Sequence, residues 1–181
     1  MVIALIGPSC SGKSFYLQLL NRCMSFVVPT GITTRAPRMK DNGVLRHVTE
    51  QEFGELSAAK RLCFVDEVFG HQYAYAYPLS TADANVGIEI RRNNIAELRM
   101  MGGVLLKVIP DSLELGLERI RAGRAEPAAI RIQELESEFR LIDEPGFDGI
   151  FRNRFDPESA DRFLDLVRSF TFKGGDLRPV G

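Results

Sequence analysis

The chain has 181 residues, a formal net charge of -1 and a composition that is 45% hydrophobic and 26% charged. These values are typical of a globular protein with one domain, a sizeable core and room for a small inserted lobe. The near-neutral charge gives no general basic surface, so neither nucleic acid nor an anionic membrane is expected as a partner.

The first half of the chain alternates apolar runs with helical patterns. Residues 2–6 form an apolar run without a basic leader, too short for a signal peptide or a membrane span, and they predict a central parallel strand buried on both faces. A helix is predicted over residues 13–23. Thr49 stands three residues before Glu52, which predicts a helix start by a capping box. The other elements expected here are a strand and polar loop in residues 26–38, one or two strands in 62–77 and a strand at 86–90.

The second half continues the alternation. A helix is predicted over residues 93–101 and a buried strand over 104–109. Asp111 is expected to cap the next helix, and Pro127 suits the first turn of the one after it. A last strand is expected at residues 149–151, followed by a terminal helix that opens at Asp156-Pro157. Strands alternating with helices predict an α/β fold with a mostly parallel central sheet flanked by helices.

Cysteine and histidine usage limits the kind of site that the chain can form. The three cysteines are widely spaced, and no pair of them has metal-ligand spacing. They are interpreted as reduced thiols of a cytoplasmic protein. Only two histidines are present, so a histidine-based metal site is not expected.

A phosphate-binding motif stands between the first predicted strand and the first predicted helix. The residues that fit G-x-x-x-x-G-K-[ST] are Gly7, Pro8, Ser9, Cys10, Ser11, Gly12, Lys13 and Ser14. Glycines let several backbone N–H groups point at one anion, and the following helix adds its positive N-terminal end. Lys13 is predicted to reach the β- and γ-phosphates of ATP, and the Ser14 hydroxyl to ligate Mg²⁺. A chance match in a flexible Gly/Ser loop is the alternative, but the flanking strand and helix favour phosphate binding.

Cys10 lies inside this loop. It is interpreted as a neutral residue whose backbone takes part in binding, with a redox role as the alternative.

Further segments follow a recognisable pattern in order and spacing. They are Thr33-Thr34-Arg35-Ala36-Pro37-Arg38, Glu67-Val68-Phe69-Gly70-His71-Gln72-Tyr73 and Pro110-Asp111-Ser112-Leu113-Glu114. Together with the phosphate loop, they make the sequence resemble the guanylate kinases over about residues 2–170. The resemblance implies the P-loop kinase fold, with one guanylate kinase-like domain over residues 1–175, an acceptor-binding lobe at about 31–80, a lid at about 121–131 and a tail at 176–181.

The resemblance also implies site residues. Arg35 and Arg38 would hold the phosphate of the acceptor together with Tyr73, because arginine forks fit phosphate oxygens bidentately. Lid arginines would neutralise charge on the transferring phosphoryl group. The lid candidates are Arg121, Arg124 and Arg131. For both sets the alternative is an ordinary solvated surface charge.

Several positions depart from the family pattern where it reads guanine. The family's glutamate is Phe64 here, and its serine is Gly31. A phenylalanine cannot replace the hydrogen bonds of a carboxylate, so guanine specificity does not follow from the resemblance. Asp66 or Glu67 could take over this role, although an ungapped alignment does not place them there. Glu89 is a candidate for a carboxylate near Mg²⁺.

The sequence is compatible with three functions. The first is ATP- and Mg²⁺-dependent phosphotransfer to a nucleoside monophosphate, such as GMP to GDP. The second keeps this chemistry with another small phosphorylated acceptor, as in the ribose 1,5-bisphosphate phosphokinases, which resemble guanylate kinases and lack the guanine-reading glutamate. The third is a non-catalytic guanylate kinase-like binding domain. Such domains erode the phosphate loop, whereas this chain keeps Gly12, Lys13 and Ser14.

Overall fold

The computed structural model of the chain describes residues 1–37, 45–68, 70–79, 84–122, 128–142 and 144–171. The strands and α-helices within these ranges are β1 Val2–Ile6, α1 Lys13–Met24, β2 Gly31–Thr33, β3 Leu45–His47, α2 Glu50–Ala58, β4 Leu62–Val68, β5 His71–Ala76, β6 Val86–Glu89, α3 Ile95–Met100, β7 Val104–Pro110, α4 Leu113–Ala122, α5 Ala128–Arg140, β8 Gly149–Asn153 and α6 Ser159–Thr171. A 3-10 turn at Arg92–Asn94 leads into α3. No helix in these ranges is long and apolar enough to cross a bilayer.

The central sheet confirms the prediction of a mostly parallel arrangement. Its strand order is β6-β1-β7-β8, and every neighbouring pair is parallel. One face packs on α1 and α6 through residues such as Leu20 and Phe163, and the other packs on α3 through Leu98. Because both faces are covered, β1 is a continuous apolar run, and β7 is apolar except for the buried Lys107.

A second sheet lies within the predicted acceptor-binding range. Its order is β3-β2-β5-β4, with β2 parallel to β3 and antiparallel to β5. Tyr75 on β5 joins this sheet to the central one. Its hydroxyl accepts a hydrogen bond from the backbone N–H of Glu89 and donates to the carbonyl oxygen of the same residue, both at 3.1 Å. Burial raises the pKa of Tyr75, so the phenol stays protonated and keeps this donor at neutral pH.

The helix starts confirm one cap prediction and correct another. Thr49 Oγ1 accepts from the backbone N–H of Glu52 at 3.1 Å, as the capping box predicted. The prediction that Asp111 caps α4 was wrong. Ser112 directly precedes the helix, and its Oγ accepts from Leu115 N–H at 3.1 Å, while Asp111 forms an ion pair with Arg154 at 3.3 Å. Pro127 lies outside the described residues.

Candidate active site

The loop at residues 7–14 connects the carboxyl end of β1 to the start of α1. Gly7 has a φ of 148°, and a Cβ there would stand 1.9 Å from the carbonyl oxygen of Val108. Gly12 has a φ of 101°, and its Cβ would stand 2.7 Å from Asn153 Nδ2. Only glycine fits these two positions, since other residues would combine a strained backbone with a steric clash. The motif therefore needs its two fixed glycines for geometric reasons.

Lys13 is buried in this loop at the first position of α1. Its Nζ donates to the carbonyl oxygens of Gly7 and Pro8, at 2.7 and 2.8 Å. Glu89 Oε1 lies 3.4 Å from the same nitrogen. The ammonium group is thus enclosed by the loop and faces the carboxylate at the end of β6.

Asn153 supports the loop from beneath. Its Nδ2 donates to the carbonyl oxygen of Ser11 at 2.9 Å, and its Oδ1 accepts from the Tyr16 hydroxyl at 2.8 Å. Burial raises the pKa of Tyr16 to about 12, so the phenol remains a neutral donor. Ser11 Oγ is buried and has no hydrogen-bond partner in the described part of the chain. An unpaired buried hydroxyl is unfavourable by about 1–3 kcal/mol, and in an anion-binding loop it suits a ligand oxygen.

Glu134 of α5 reaches across to this loop. Its Oε2 accepts from the Ser9 backbone N–H at 3.1 Å and from Ser9 Oγ at 2.8 Å. Its Oε1 accepts from Arg91 Nη1 at 2.7 Å. Burial would raise the pKa of Glu134, but the hydrogen bonds from Ser9 and the charge of Arg91 outweigh it and hold this pKa below its usual range. The loop therefore already binds an anionic group of the protein itself.

A cavity of about 460 Å³ opens beside the loop, between β4, the turn before α3 and α5. Its charged lining residues are Asp66, Glu67, Arg91, Arg92, Glu134 and Glu138. Gly7 also belongs to the lining, so the cavity adjoins the phosphate loop. Charges of both signs next to an anion-binding loop suit a polar, charged small molecule rather than an apolar one.

Phe64 turns away from the cavity into the core. It is 3% exposed and packs in the apolar cluster beneath the central sheet. Its φ of 52° accompanies an irregularity in β4, where Cys63 pairs with Tyr75 but Asp66 pairs with Tyr73. The bulge inserts one extra residue in β4 between Cys63 and Asp66. Asp66 and Glu67, which follow it, line the cavity.

Helix α5 is tied to the central sheet by buried charges. Lys107 of β7 is fully buried, and its Nζ lies 3.0 Å from Glu138 Oε2. The same nitrogen donates to the carbonyl oxygens of Glu138 and Leu141 near the end of the helix, at 3.1 and 2.9 Å. Arg92 binds both carboxylate oxygens of Glu138 at 3.0 Å and also pairs with Glu144. These contacts fix the carboxyl end of α5 beside the cavity.

Sequence reasoning missed Glu134 and Glu138. On α5 they read as part of a charged, solvated helix face, and their partners are remote in sequence: Ser9 is 125 positions away and Arg91 is 43. Their i, i+4 spacing was the one available signal, because it places both carboxylates on one side of the helix.

The predicted acceptor-binding residues occupy the second sheet and the segment that follows β2. Arg35 is buried, and its Nη1 donates to the carbonyl oxygen of Ala36 at 3.0 Å, while His47 Nδ1 donates to the Arg35 carbonyl oxygen at 2.6 Å. Among the described residues, neither Arg35 nor Tyr73 lines the cavity. Arg38 lies outside the described residues. Their role in phosphate binding stays a prediction.

Two of the three predicted lid arginines flank residues 123–127, which the structure does not describe. Arg121 is exposed in the last turn of α4, and Arg131 is half-buried near the start of α5. Arg124 lies outside the described residues. The chemical role of all three arginines stays a prediction.

Ser14 and Glu89 have the donor chemistry that suits Mg²⁺. Ser14 presents an exposed hydroxyl in the first turn of α1, and Glu89 places a carboxylate beside Lys13. Hydroxyl, carboxylate and phosphate oxygens are the ligands that Mg²⁺ prefers. The described residues contain no group of three or more His, Cys, Asp and Glu side chains that could hold a metal. By their oxygen donors, Ser14 and Glu89 fit Mg²⁺.

Comparison with solved structures identifies the fold. A guanylate kinase from Anaplasma phagocytophilum matches with a TM-score of 0.70 and 22% identity, over 94% of this chain and 85% of that chain. A shikimate kinase from Acinetobacter baumannii, solved in complex with shikimate, matches with a TM-score of 0.53 and 13% identity, over 95% of this chain and 93% of that chain. No family model matches the sequence. The chain has a guanylate kinase-like P-loop kinase fold.

Proposed function

We propose that the protein is an ATP-dependent kinase that phosphorylates a nucleoside monophosphate. The observation that carries the proposal is the loop at residues 7–14. It encloses Lys13 and adjoins a cavity of about 460 Å³, and its Ser9 already binds the carboxylate of Glu134. The fold shared with a guanylate kinase and a shikimate kinase supports phosphoryl transfer to a small molecule.

Binding and electrostatics supply the catalysis in this proposal. Lys13 and the loop N–H groups hold the β- and γ-phosphates, and Ser14 and Glu89 hold Mg²⁺, which neutralises phosphate charge when bound. An oxygen of the acceptor's phosphate attacks the terminal phosphorus, and ADP leaves with the electron pair of the broken P–O bond. The residues proposed to bind the acceptor's phosphate or the transferring group are Arg35, Arg38, Tyr73, Arg121, Arg124 and Arg131.

Asp66 and Glu67 are proposed to recognise the acceptor. Both line the cavity, and a carboxylate accepts hydrogen bonds from the N–H groups of guanine. Asp66 is held in place by Asn93, whose Nδ2 donates to Asp66 Oδ1 at 2.9 Å. A pre-oriented carboxylate in this wall supports a nucleotide with ring N–H donors as the acceptor.

A phosphorylated sugar, such as ribose 1,5-bisphosphate, is the second candidate acceptor. The described residues that line the cavity include no aromatic side chain on which a base could stack. Sugar hydroxyl groups can donate to Asp66 and Glu67 as well as base N–H groups do.

An acceptor screen tests these functions. The purified protein is incubated with ATP and Mg²⁺ and with GMP, dGMP, AMP, CMP, UMP or ribose 1,5-bisphosphate, and ADP and product are separated by chromatography. We expect one acceptor to be converted, with turnover lost in Lys13→Ala. Asp66→Asn should raise the KM of that acceptor about 10-fold or more, because an unpaired polar group is left in the wall.

The outcomes separate the candidates. Conversion of GMP supports the nucleotide acceptor, and conversion of ribose 1,5-bisphosphate with GMP inert supports the sugar. ATP binding without transfer to any acceptor contradicts the kinase proposal for this panel. Failure to bind ATP at all leaves the non-catalytic binding domain.

A further inference from the structure

Glu134, Ser9 and Arg91 form one anion-binding arrangement at the edge of the phosphate loop. The Ser9 N–H and Oγ hold one carboxylate oxygen of Glu134, and Arg91 Nη1 holds the other. The Glu134 side chain is 22% exposed, so this is a partly enclosed contact rather than a surface pair. A main-chain N–H, a hydroxyl and a guanidinium therefore converge on a single negatively charged group.

This arrangement overlaps the place that a bound nucleotide needs. Ser9 is the third residue of the phosphate loop, and its donors cannot serve Glu134 and a phosphate at once. A triphosphate carries more charge than a carboxylate, and a phosphate accepts more hydrogen bonds, so it displaces Glu134 from Ser9. Arg91 then faces the phosphate, because its guanidinium already lies within hydrogen-bond distance of the displaced group.

We propose that Arg91 binds the terminal phosphoryl group of the nucleotide and that Glu134 occupies this place when no nucleotide is bound. The inference rests on the proposed kinase function and adds a catalytic residue to it. Arg91 is not among the arginines that the sequence analysis predicted for the site.

The location of Arg91 suits this role. It follows β6 two residues after Glu89, whose carboxylate faces Lys13, and β6 pairs directly with β1, which leads into the loop. It also lines the cavity together with Gly7, so it stands between the donor loop and the acceptor cavity. Its Nε lies 4.0 Å from Asp66 Oδ2, which orients the guanidinium from the acceptor side.

Arg92 provides a matched control. It is the next residue and lines the same cavity, but it binds both carboxylate oxygens of Glu138 and also pairs with Glu144. These contacts raise its pKa further and hold the guanidinium on α5. Arg92 is therefore a positioning residue for α5, and its removal should not change the ratio of ATP to ADP affinity.

The test compares ATP and ADP affinities by titration calorimetry in the presence of Mg²⁺ and without an acceptor. Glu134→Gln should tighten ATP binding about 5- to 10-fold, because the resident charge that competes for Ser9 is removed, and should change ADP binding less. In the Glu134→Gln background, Arg91→Ala should lower the ratio of ATP to ADP affinity by about 10-fold, and Arg91→Lys should lower it less. The Glu134→Gln background is needed because Arg91→Ala alone would also remove the ion pair that holds Glu134. That change could alter ATP binding by itself. Arg92→Ala in the same background should leave the ratio unchanged.

The two proposals fail in different ways. If wild type binds ATP in a Lys13-dependent manner but Glu134→Gln leaves its affinity unchanged, this inference is overturned and the kinase proposal stands. An ATP to ADP ratio that Arg91→Ala and Arg92→Ala lower equally also overturns it. If neither wild type nor Glu134→Gln binds ATP, both proposals fall.

Discussion

The backbone N–H of Phe64 lies 3.1 and 3.0 Å from the two carboxylate oxygens of Glu97 and donates to both. Phe64 adopts a left-handed φ of 52°, and Glu97 holds it there from α3. The bulge that results directs Phe64 into the core and Asp66 towards the cavity. A contact outside the phosphate loop therefore positions the carboxylate that we propose to read the acceptor.

Glu97→Ala should weaken acceptor binding more than ATP binding. The substitution leaves the Phe64 N–H without its partner, which should lower the free energy of unfolding by about 1–3 kcal/mol and loosen the bulge. We expect a raised acceptor KM and an unchanged Kd for ATP, measured with urea unfolding, steady-state kinetics and calorimetry. Glu97→Gln keeps one acceptor oxygen and should lose less. Equal effects on ATP and acceptor would contradict a local role for this contact.

Lys107→Met should be strongly destabilising, because the lysine is fully buried and pairs with buried groups. It would leave Glu138 with a partly uncompensated buried charge and the carbonyl oxygens of Glu138 and Leu141 without this donor. Loss of one partner of a buried pair lowers the free energy of unfolding by about 3–5 kcal/mol. The loss should be smaller here, because Arg92 still pairs with Glu138. Urea unfolding measures the loss. Arg168→Ala, which removes an exposed pair with Asp165, is the control and should change stability by less than about 1 kcal/mol. Similar losses in both variants would argue against the buried network.

Helix α5 should become less firmly attached in acid. Burial would raise the pKa of Glu138, but Arg92 and Lys107 outweigh it and hold this pKa below the ordinary value of 4.5. A depressed native pKa contributes stability above the unfolded pKa, and that contribution is lost as pH falls through the lower native value. The stability difference between wild type and Glu138→Gln should therefore be constant at neutral pH and shrink below about pH 4.5. Urea unfolding of both proteins from pH 7 to pH 3 measures it. A difference that grows on acidification would show that the carboxylate is not the group responsible.

Gly12→Ala should weaken nucleotide binding strongly. A Cβ at this position would lie 2.7 Å from Asn153 Nδ2 in a backbone with a φ of 101°, so the loop must move away from its support. We expect a loss of ATP binding of at least about 10-fold, measured by calorimetry, with a lower melting temperature. Gly54→Ala is the matched control, since Gly54 is exposed in α2 and a Cβ there meets nothing within 4 Å. It should stabilise the protein by about 0.5–1 kcal/mol and leave ATP binding unchanged. ATP binding retained by Gly12→Ala would contradict the proposed use of this loop.

The sequence by itself determined the central sheet and the location of the phosphate loop. Strand β1 and helix α1 could be predicted because apolar runs and helical periodicity are local properties of the chain. The loop between them could be predicted because its two glycines, Lys13 and Ser14 are contiguous. The Thr49 cap followed for the same reason, whereas Asp111 was wrongly preferred to Ser112 because adjacent polar residues compete for the same N–H.

Only the tertiary structure decided which charges meet at the site. Glu134 reaches Ser9 across 125 positions and Arg91 across 43, and no local pattern in α5 identifies these partners. Asp66 enters the cavity wall because one left-handed residue shifts the register of β4, and a shift of one residue turns a side chain to the opposite face of a strand. Local periodicity decides where elements form, but long-range packing and backbone irregularity decide which side chains share a cavity.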